Sequence, residues 1–376
     1  MTAPADGVAP PSVAVDALDG TATPLCEGFD VALLDLDGVI YRGGSVVPHA
    51  PEALEEASGR GMRLAYVTNN ALRPPETVAE RLTGFGVPAT ADDVVTSAQA
   101  AARLLGERLD AGSRVLVTGG EGLRRAVTER GFEIVESADD APAAVVQGYD
   151  PDLTYQRLSE AALAIRAGAL WVASNLDTTV PAERGLLPGA GSFVALLRTA
   201  TDRSPEVAGK PERTLHEESI RRTAASAPLV VGDRLDTDIE GAVRAGTPSL
   251  LVLTGVVDPA AAVRAPAGQR PTFMGSDLRA LLGPAPSVAV DGTTATCGIW
   301  CCEVVDGRLR WSRTDSDTTQ AVSSKADISR ADADDDGLDA LRAACAAAWA
   351  ATDAGQDVVG TTGEVPDGCP ELGGQR

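Results

Sequence analysis

The chain has 376 residues, 44% of them hydrophobic, and sets 32 Lys and Arg against 54 Asp and Glu for a formal net charge of −22. An acidic field of that size opposes nucleic acid and anionic membranes, and any phosphorylated ligand then needs a locally positive site. No apolar run approaches the roughly 20 residues that cross a bilayer, the six cysteines are too scattered for a disulfide scaffold, and His49 and His216 alone argue against a His-rich metal site.

Residues 1–24 are rich in Ala, Pro, Gly and Asp and read as a flexible arm; without the basic start of a signal peptide, they predict a cytoplasmic protein. From Phe29, VALLDLD and RLAYVTNN read as strands, and PHAPEALEEASGRG and PPETVAERLTGFG as helices. Residues 100–204 repeat the alternation as a module of their own, with SRVLVTGG, AAVVQGYD and ALWVASNLD as strands. APLVVGDRLDTDIEGAVRAG and SLLVLTG then resume the first pattern. The expected organisation is a core of 25–99 and 205–283 with an α/β domain inserted into it. Residues 285–365 predict a small α+β module: two or three antiparallel strands with Asp-Gly turns, then the helix LDALRAACAAAWAATD. Residues 366–376 read as a loose tail.

Polar groups gather where the strands end. Asp35 and Asp37 close the first strand, Thr68, Asn69 and Asn70 the second, Lys210 stands in a Gly-Lys-Pro turn, and Asp233 and Asp238 follow LVVG. Strand alternation places Asp35 and Asp37 on one side. A plain turn at Asp37-Gly38, opening a hairpin, is the competing reading. Three carboxylates brought together need raised pKa values or a cation, and oxygen ligands suit Mg²⁺. Hydroxyl, amide and ammonium groups beside them suit a phosphate. Only two of the 32 basic residues are lysine, Lys210 and Lys325, so a lysine in that turn points to a need for a compact ammonium.

The ordered set DLDGV, TNN, GKP and GDRLDTDI resembles the haloacid dehalogenase superfamily, and its spacing resembles the NagD-type (class IIA) phosphatases, with a cap inserted between the second and third motifs. The resemblance covers about residues 28–283, and GGEGL and SNLDTTVPAERGLLPGAGS also look like that subfamily's cap. It implies a Rossmann-like core with a parallel sheet, a C2-type α/β cap and phosphatase chemistry with Mg²⁺. Asp35 would be the nucleophile and a metal ligand, Asp37 the general acid/base and a ligand through its carbonyl, and Asp233 the third ligand with Asp238 behind it. Thr68, Asn69 and Lys210 would hold the phosphoryl group, Asn70 would orient the nucleophile's loop, and Asn175 and Asp177 would contact substrate in the cap. Leu176 departs from the proline common between them. Small phosphorylated metabolites are the implied substrates, glycerol 3-phosphate first because relatives with a C-terminal extension suggest it, then phosphoglycolate, pyridoxal phosphate and nucleotides. A homodimer is a further expectation, and a non-catalytic sensor of a phosphorylated ligand is the rival.

Other patterns do not carry a site. Gly209-Lys210 lacks the glycines of a P-loop. Asp332 to Gly337 begins like a calcium loop but has Ala343 where the bidentate Glu belongs. Cys297, Cys301 and Cys302 read as buried small hydrophobes, Asp236 as a solvated or capping residue, and Arg73 and Arg234 as phosphate-attracting or paired. The C-terminal module resembles part of an acetyltransferase fold but lacks a glycine-rich pyrophosphate loop, so packing, dimerisation or regulation is expected of it.

Overall fold

The computed structural model describes residues 18–182, 184–314 and 336–372. Six parallel strands form the central sheet, in the spatial order Phe273–Gly275, Ser249–Val252, Pro228–Gly232, Val31–Leu34, Arg63–Thr68, Val94–Thr96. Counted along the chain this is the order 6-5-4-1-2-3 of a Rossmann-like doubly wound sheet, which reverses direction between the first and fourth strands. Because helices cover both faces, the strands are apolar throughout. Val31 and Leu33 enter one core with Val67, Val95 and Val230, while Ala32 and Leu34 enter the opposite core with Tyr66, Val231 and Leu250.

The first strand ends at Leu34, earlier than VALLDLD suggested. Asp35 N–H still bonds Val231 O at 2.8 Å, after which the chain turns through Leu36–Ile40. The hairpin lies further on, Tyr41–Arg42 against Ser45–Val46. Strand alternation therefore does not govern Asp35 and Asp37: Asp35 is half-buried and Asp37 is exposed.

A second parallel sheet is ordered Glu206–Val207, Leu170–Ala173, Ala144–Gln147, Arg114–Thr118, Glu133–Val135. Glu206–Val207 thus pairs with this sheet, although residues 205–283 were expected in the core. An exposed hairpin, Thr179–Ala182 with Gly185–Pro188, precedes the helix Ala190–Thr201.

The C-terminal region forms four antiparallel strands, Ala289–Asp291, Thr294–Cys297, Trp300–Val305 and Arg308–Arg313, with Gly360–Thr361 added in parallel. The helix Asp339–Asp353 covers them. It also joins this unit to the core: Trp349 Nε1 donates to Ala262 O at 3.1 Å, and buried Arg342 bonds Met274 O at 2.7 Å while pairing with Asp336 and Asp339. Cys297 and Cys302 are buried as expected, but Cys301 lies on the other side of its strand and is partly exposed. Leu372, expected in a loose tail, is buried and its carbonyl accepts from Thr361 N–H; Leu18 and Thr21, expected in the flexible arm, are likewise held, Leu18 by burial and Thr21 by Ala285. Residues 1–17, Lys325 and Asp332–Asp335 lie outside the described residues. Among the described residues no helix is long and apolar enough to cross a membrane.

Candidate functional site

In an open α/β sheet the ligand crevice lies beyond the carboxyl ends of the strands, where the winding reverses. Here that point falls between Val31–Leu34 and Pro228–Gly232, and the residues leaving those strands are Asp35 and Asp233. Arg63–Thr68, on the other side of the first strand, delivers Thr68 to the same edge. After Gly232 the chain winds a π-helical turn, Leu235–Ile239, which turns Asp238 back toward the cluster.

One carboxylate oxygen from each of Asp35, Asp233 and Asp238 lies within 4.8 Å of the others, the one such cluster among the described residues. Buried Lys210 donates to Asp35 Oδ1, to Asp238 Oδ1 at 2.7 Å and to Val67 O at 3.3 Å. Three carboxylates against one ammonium leave two negative charges. Asp233 is fully buried; its Oδ2 accepts from Val256 N–H at 2.8 Å, and its Oδ1 has no partner. A buried carboxylate oxygen without a donor is costly. The uncompensated charge, the orphaned oxygen and the all-oxygen donor set fit a hard divalent cation such as Mg²⁺. Asp238, expected behind the ligands, is thus one of the clustered carboxylates, and the Asp37 carboxylate is not.

Close glycine packing holds this geometry. A Cβ on Gly38, where φ is +89°, would come within 2.3 Å of Asp233 Oδ2, and one on Gly255 within 1.8 Å of the same atom. Thr254 Oγ1 donates to Gly38 O at 2.5 Å, so residues 254–256 grip both the Asp37-Gly38 turn and Asp233. Sequence reasoning passed over this loop. It acts through backbone N–H, a hydroxyl and a missing side chain; the only signal was a Thr-Gly pair after SLLVL.

Burial, with the Asp238 and Asp233 charges, raises the Asp35 carboxyl well above the usual range even with Lys210 opposing it. Burial and Asp238 push Asp233 up to about 6, against the Val256 N–H. Burial disfavours the Lys210 ammonium, but Asp238 and Asp35 outweigh it and hold the group charged. The Asp37 side chain meets solvent, yet the protein around it desolvates its carboxyl enough to raise it, with Arg81, Lys210 and Arg73 opposing.

The remaining sequence candidates reach the site in unexpected ways. Thr68 Oγ1 accepts from Asn70 N–H at 3.1 Å, which leaves its own proton to donate. Asn69 Oδ1 accepts from Lys210 N–H at 2.8 Å, while its Nδ2 donates to Lys210 O at 3.2 Å and to both Asp177 oxygens at 3.3 Å. The carboxamide expected on the phosphoryl group is therefore committed to protein. Asn70, expected to orient the nucleophile's loop, instead caps its own turn, its Oδ1 accepting from Leu72 N–H at 2.8 Å and Arg73 N–H at 3.4 Å. Asn175 Nδ2 donates to Asn69 O at 2.7 Å, and Asn175 Oδ1 accepts from Asp177 N–H at 3.1 Å. Arg234 is paired with Asp236 through two bonds, at 2.8 and 3.1 Å.

Comparison with known proteins agrees with this geometry. The family model for haloacid dehalogenase-like hydrolases matches residues 32–133, and a second model, for HAD-hydrolase-like proteins, matches 207–281. The D-glycerol 3-phosphate phosphatase of Mycobacterium tuberculosis is 45% identical over 327 residues, 87% of this chain and 88% of its own length. The 5′-nucleotidase YutF of Bacillus subtilis is 40% identical over 227 residues, 60% of this chain and 87% of its own. The crystal structure of a glycerol phosphate phosphatase from Mycobacterium tuberculosis in complex with magnesium superposes with a TM-score of 0.78 at 42% identity, covering 91% of this chain and 96% of that one. A strand order built for a ligand at the switch point, a carboxylate cluster there and these matches agree: the chain belongs to the haloacid dehalogenase-like hydrolases.

Proposed function

We propose that the chain is a Mg²⁺-dependent phosphomonoester phosphatase that works through a phospho-aspartyl intermediate on Asp35, with glycerol 3-phosphate as its substrate. The observation that carries the chemistry is the cluster of Asp35, Asp233 and Asp238 with its orphaned oxygen and the Lys210 ammonium beside it. The 45% identity to a D-glycerol 3-phosphate phosphatase over most of both chains supports the substrate.

Asp35, Asp233 and the Asp37 main-chain carbonyl would hold Mg²⁺, with Asp238 alongside. When bound, the ion neutralises charge on the carboxylates and the phosphoryl oxygens. Lys210 adds fixed positive charge beside Asp35, and the Thr68 hydroxyl offers a donor at the adjacent strand end. In the first step an Asp35 carboxylate oxygen attacks phosphorus, the bond to the substrate's ester oxygen breaks, and Asp37 gives that oxygen its proton. In the second step the Asp37 carboxylate takes a proton from water, whose oxygen attacks phosphorus; the bond to Asp35 breaks and inorganic phosphate leaves. The raised Asp37 carboxyl suits this, because a group that both gives and takes a proton works best with its pKa moved toward the working pH.

The test is inorganic phosphate release from glycerol 3-phosphate, phosphoglycolate, pyridoxal phosphate and 5′-nucleotides, with and without Mg²⁺. The expected result is Mg²⁺-dependent turnover with the highest kcat/KM on glycerol 3-phosphate. A folded protein that turns over nothing on the panel yet binds a phosphorylated metabolite would replace the enzyme with a sensor.

A further inference from the structure

Three chain segments from different parts of the fold meet at Asn69. Its side chain brackets the main chain of Lys210, accepting from the N–H and donating to the carbonyl, and the same Nδ2 faces the Asp177 carboxylate. Its own carbonyl accepts from Asn175 Nδ2 and from Ser97 Oγ at 2.5 Å. Asn175 is buried, and its Oδ1 takes the Asp177 N–H, which fixes the turn that presents the Asp177 carboxylate. Gly209 fills the remaining space: a Cβ there would stand 2.5 Å from Ser174 O, 2.6 Å from Asn69 Oδ1 and 2.9 Å from Asn175 Cβ.

From this juxtaposition we infer that the Asn175–Asp177 turn serves the reaction as a positioning element, holding Asn69 so that Asn69 holds Lys210 against Asp35, and does not read the substrate's leaving group. The inference rests on the phosphatase reading above. Asn69 has two amide protons and one carbonyl oxygen. The oxygen goes to Lys210 N–H, and the amide goes to Lys210 O and Asp177. Without the Asp177 carboxylate the carboxamide keeps its two bonds to the Lys210 main chain but loses the charged partner that reinforces them, and a flip, which would set its amide against Lys210 N–H, is less strongly opposed. The Lys210 ammonium ends the side chain of the residue anchored in this way, so a loosened anchor is felt at Asp35, common to every substrate. A residue that touched the leaving group would instead discriminate among substrates.

The experiment compares wild type, Asp177→Ala, Asp177→Asn and Gly209→Ala on glycerol 3-phosphate, p-nitrophenyl phosphate and a 5′-nucleotide, and measures competitive inhibition by inorganic phosphate, which has no leaving group. Asp177→Ala is expected to lower kcat/KM by roughly the same factor on all three, on the order of tenfold for one charge-assisted hydrogen bond. Phosphate inhibition should weaken with it. Asp177→Asn, which keeps an acceptor for Asn69, should recover part of the loss, and Gly209→Ala, which touches no substrate, should share the uniform phenotype. Losses that differ more than about tenfold between substrates, with phosphate inhibition unchanged, would overturn the inference and make Asp177 a substrate contact. Unchanged kinetics in Asp177→Ala would overturn it as well. Absence of wild-type turnover would instead strike the phosphatase reading itself.

Discussion

Gly255→Ala tests the cation site from a residue that carries no functional group. The added Cβ would fall 1.8 Å from Asp233 Oδ2 and 2.4 Å from its Cγ, so one of them must move. The backbone of Gly255 is not in the left-handed region, so alanine fits the main chain and the perturbation is steric. Asp233 is the rigid side, being fully buried with its Oδ2 on Val256 N–H. Displacing it loses a hydrogen bond to a charged group, about 1.5–3 kcal/mol, and misplaces a carboxylate of the cluster. Changes to groups that orient metal ligands typically cost 10–100-fold in affinity. The Mg²⁺ concentration for half-maximal activity should rise by that range, and calorimetric titration of the resting protein with Mg²⁺ should show the same loss. A Gly255→Ala protein with Mg²⁺ affinity within about twofold of wild type, a small fraction of that range, would refute the loop's role in holding Asp233.

Other consequences follow from buried groups away from the cluster. Burial, with Lys210 nearby, lowers His216 from 6.5 to about 3, and neither ring nitrogen has a hydrogen-bond partner. Above pH 6.5 the ring is neutral folded and unfolded; as pH falls toward 3 only the unfolded chain gains the proton, so stability drops across that window by up to roughly 5 kcal/mol. Denaturant midpoints measured from pH 7 to 4 should fall less steeply in His216→Leu than in wild type, and parallel slopes would exclude the effect. Trp349→Ala should destabilise the protein by roughly 3–5 kcal/mol, because it empties a large site between the C-terminal helix and residues 259–263; a loss below about 1 kcal/mol in urea unfolding would mean that the C-terminal unit contributes little to the core.

The candidate site was largely legible because its chemistry rides on strand ends. VALLD, LAYVT and LVVGD each announce a buried strand that stops at a polar residue, and the parallel order brings those stops to one edge. Alternation does not extend to Asp37, because the strand ends at Leu34 and the chain turns where Gly38 packs against Asp233, yet the Lys210 charge acts on both the Asp35 and the Asp37 carboxyl. The role of Asp238 depends on a π-helical turn, which side-chain periodicity does not mark. Asn69, Asn70, Asn175 and Asp177 were readable as polar groups near a ligand, but their partners are protein groups: Asn69 bonds the Lys210 main chain and the Asp177 carboxylate, Asn175 bonds Asn69 O, and Asn70 caps its own turn. The Thr254–Val256 loop works through its backbone and left almost no trace in the sequence. At the chain's far end, Leu372 lies in a Gly- and Pro-rich stretch without periodicity, and tertiary packing together with the bond from Thr361 N–H to its carbonyl secures it.

The central claim is that Asp35 carries the phosphoryl group between two steps. Its most direct test is acid quenching of the enzyme during turnover with Mg²⁺, followed by intact-mass measurement of wild type and Asp35→Asn. The account predicts a fraction of wild-type chains heavier by one phosphoryl group, mapping to the peptide that contains Asp35, with neither adduct nor phosphate release in Asp35→Asn. Mg²⁺-dependent phosphate release that persists in Asp35→Asn would contradict it.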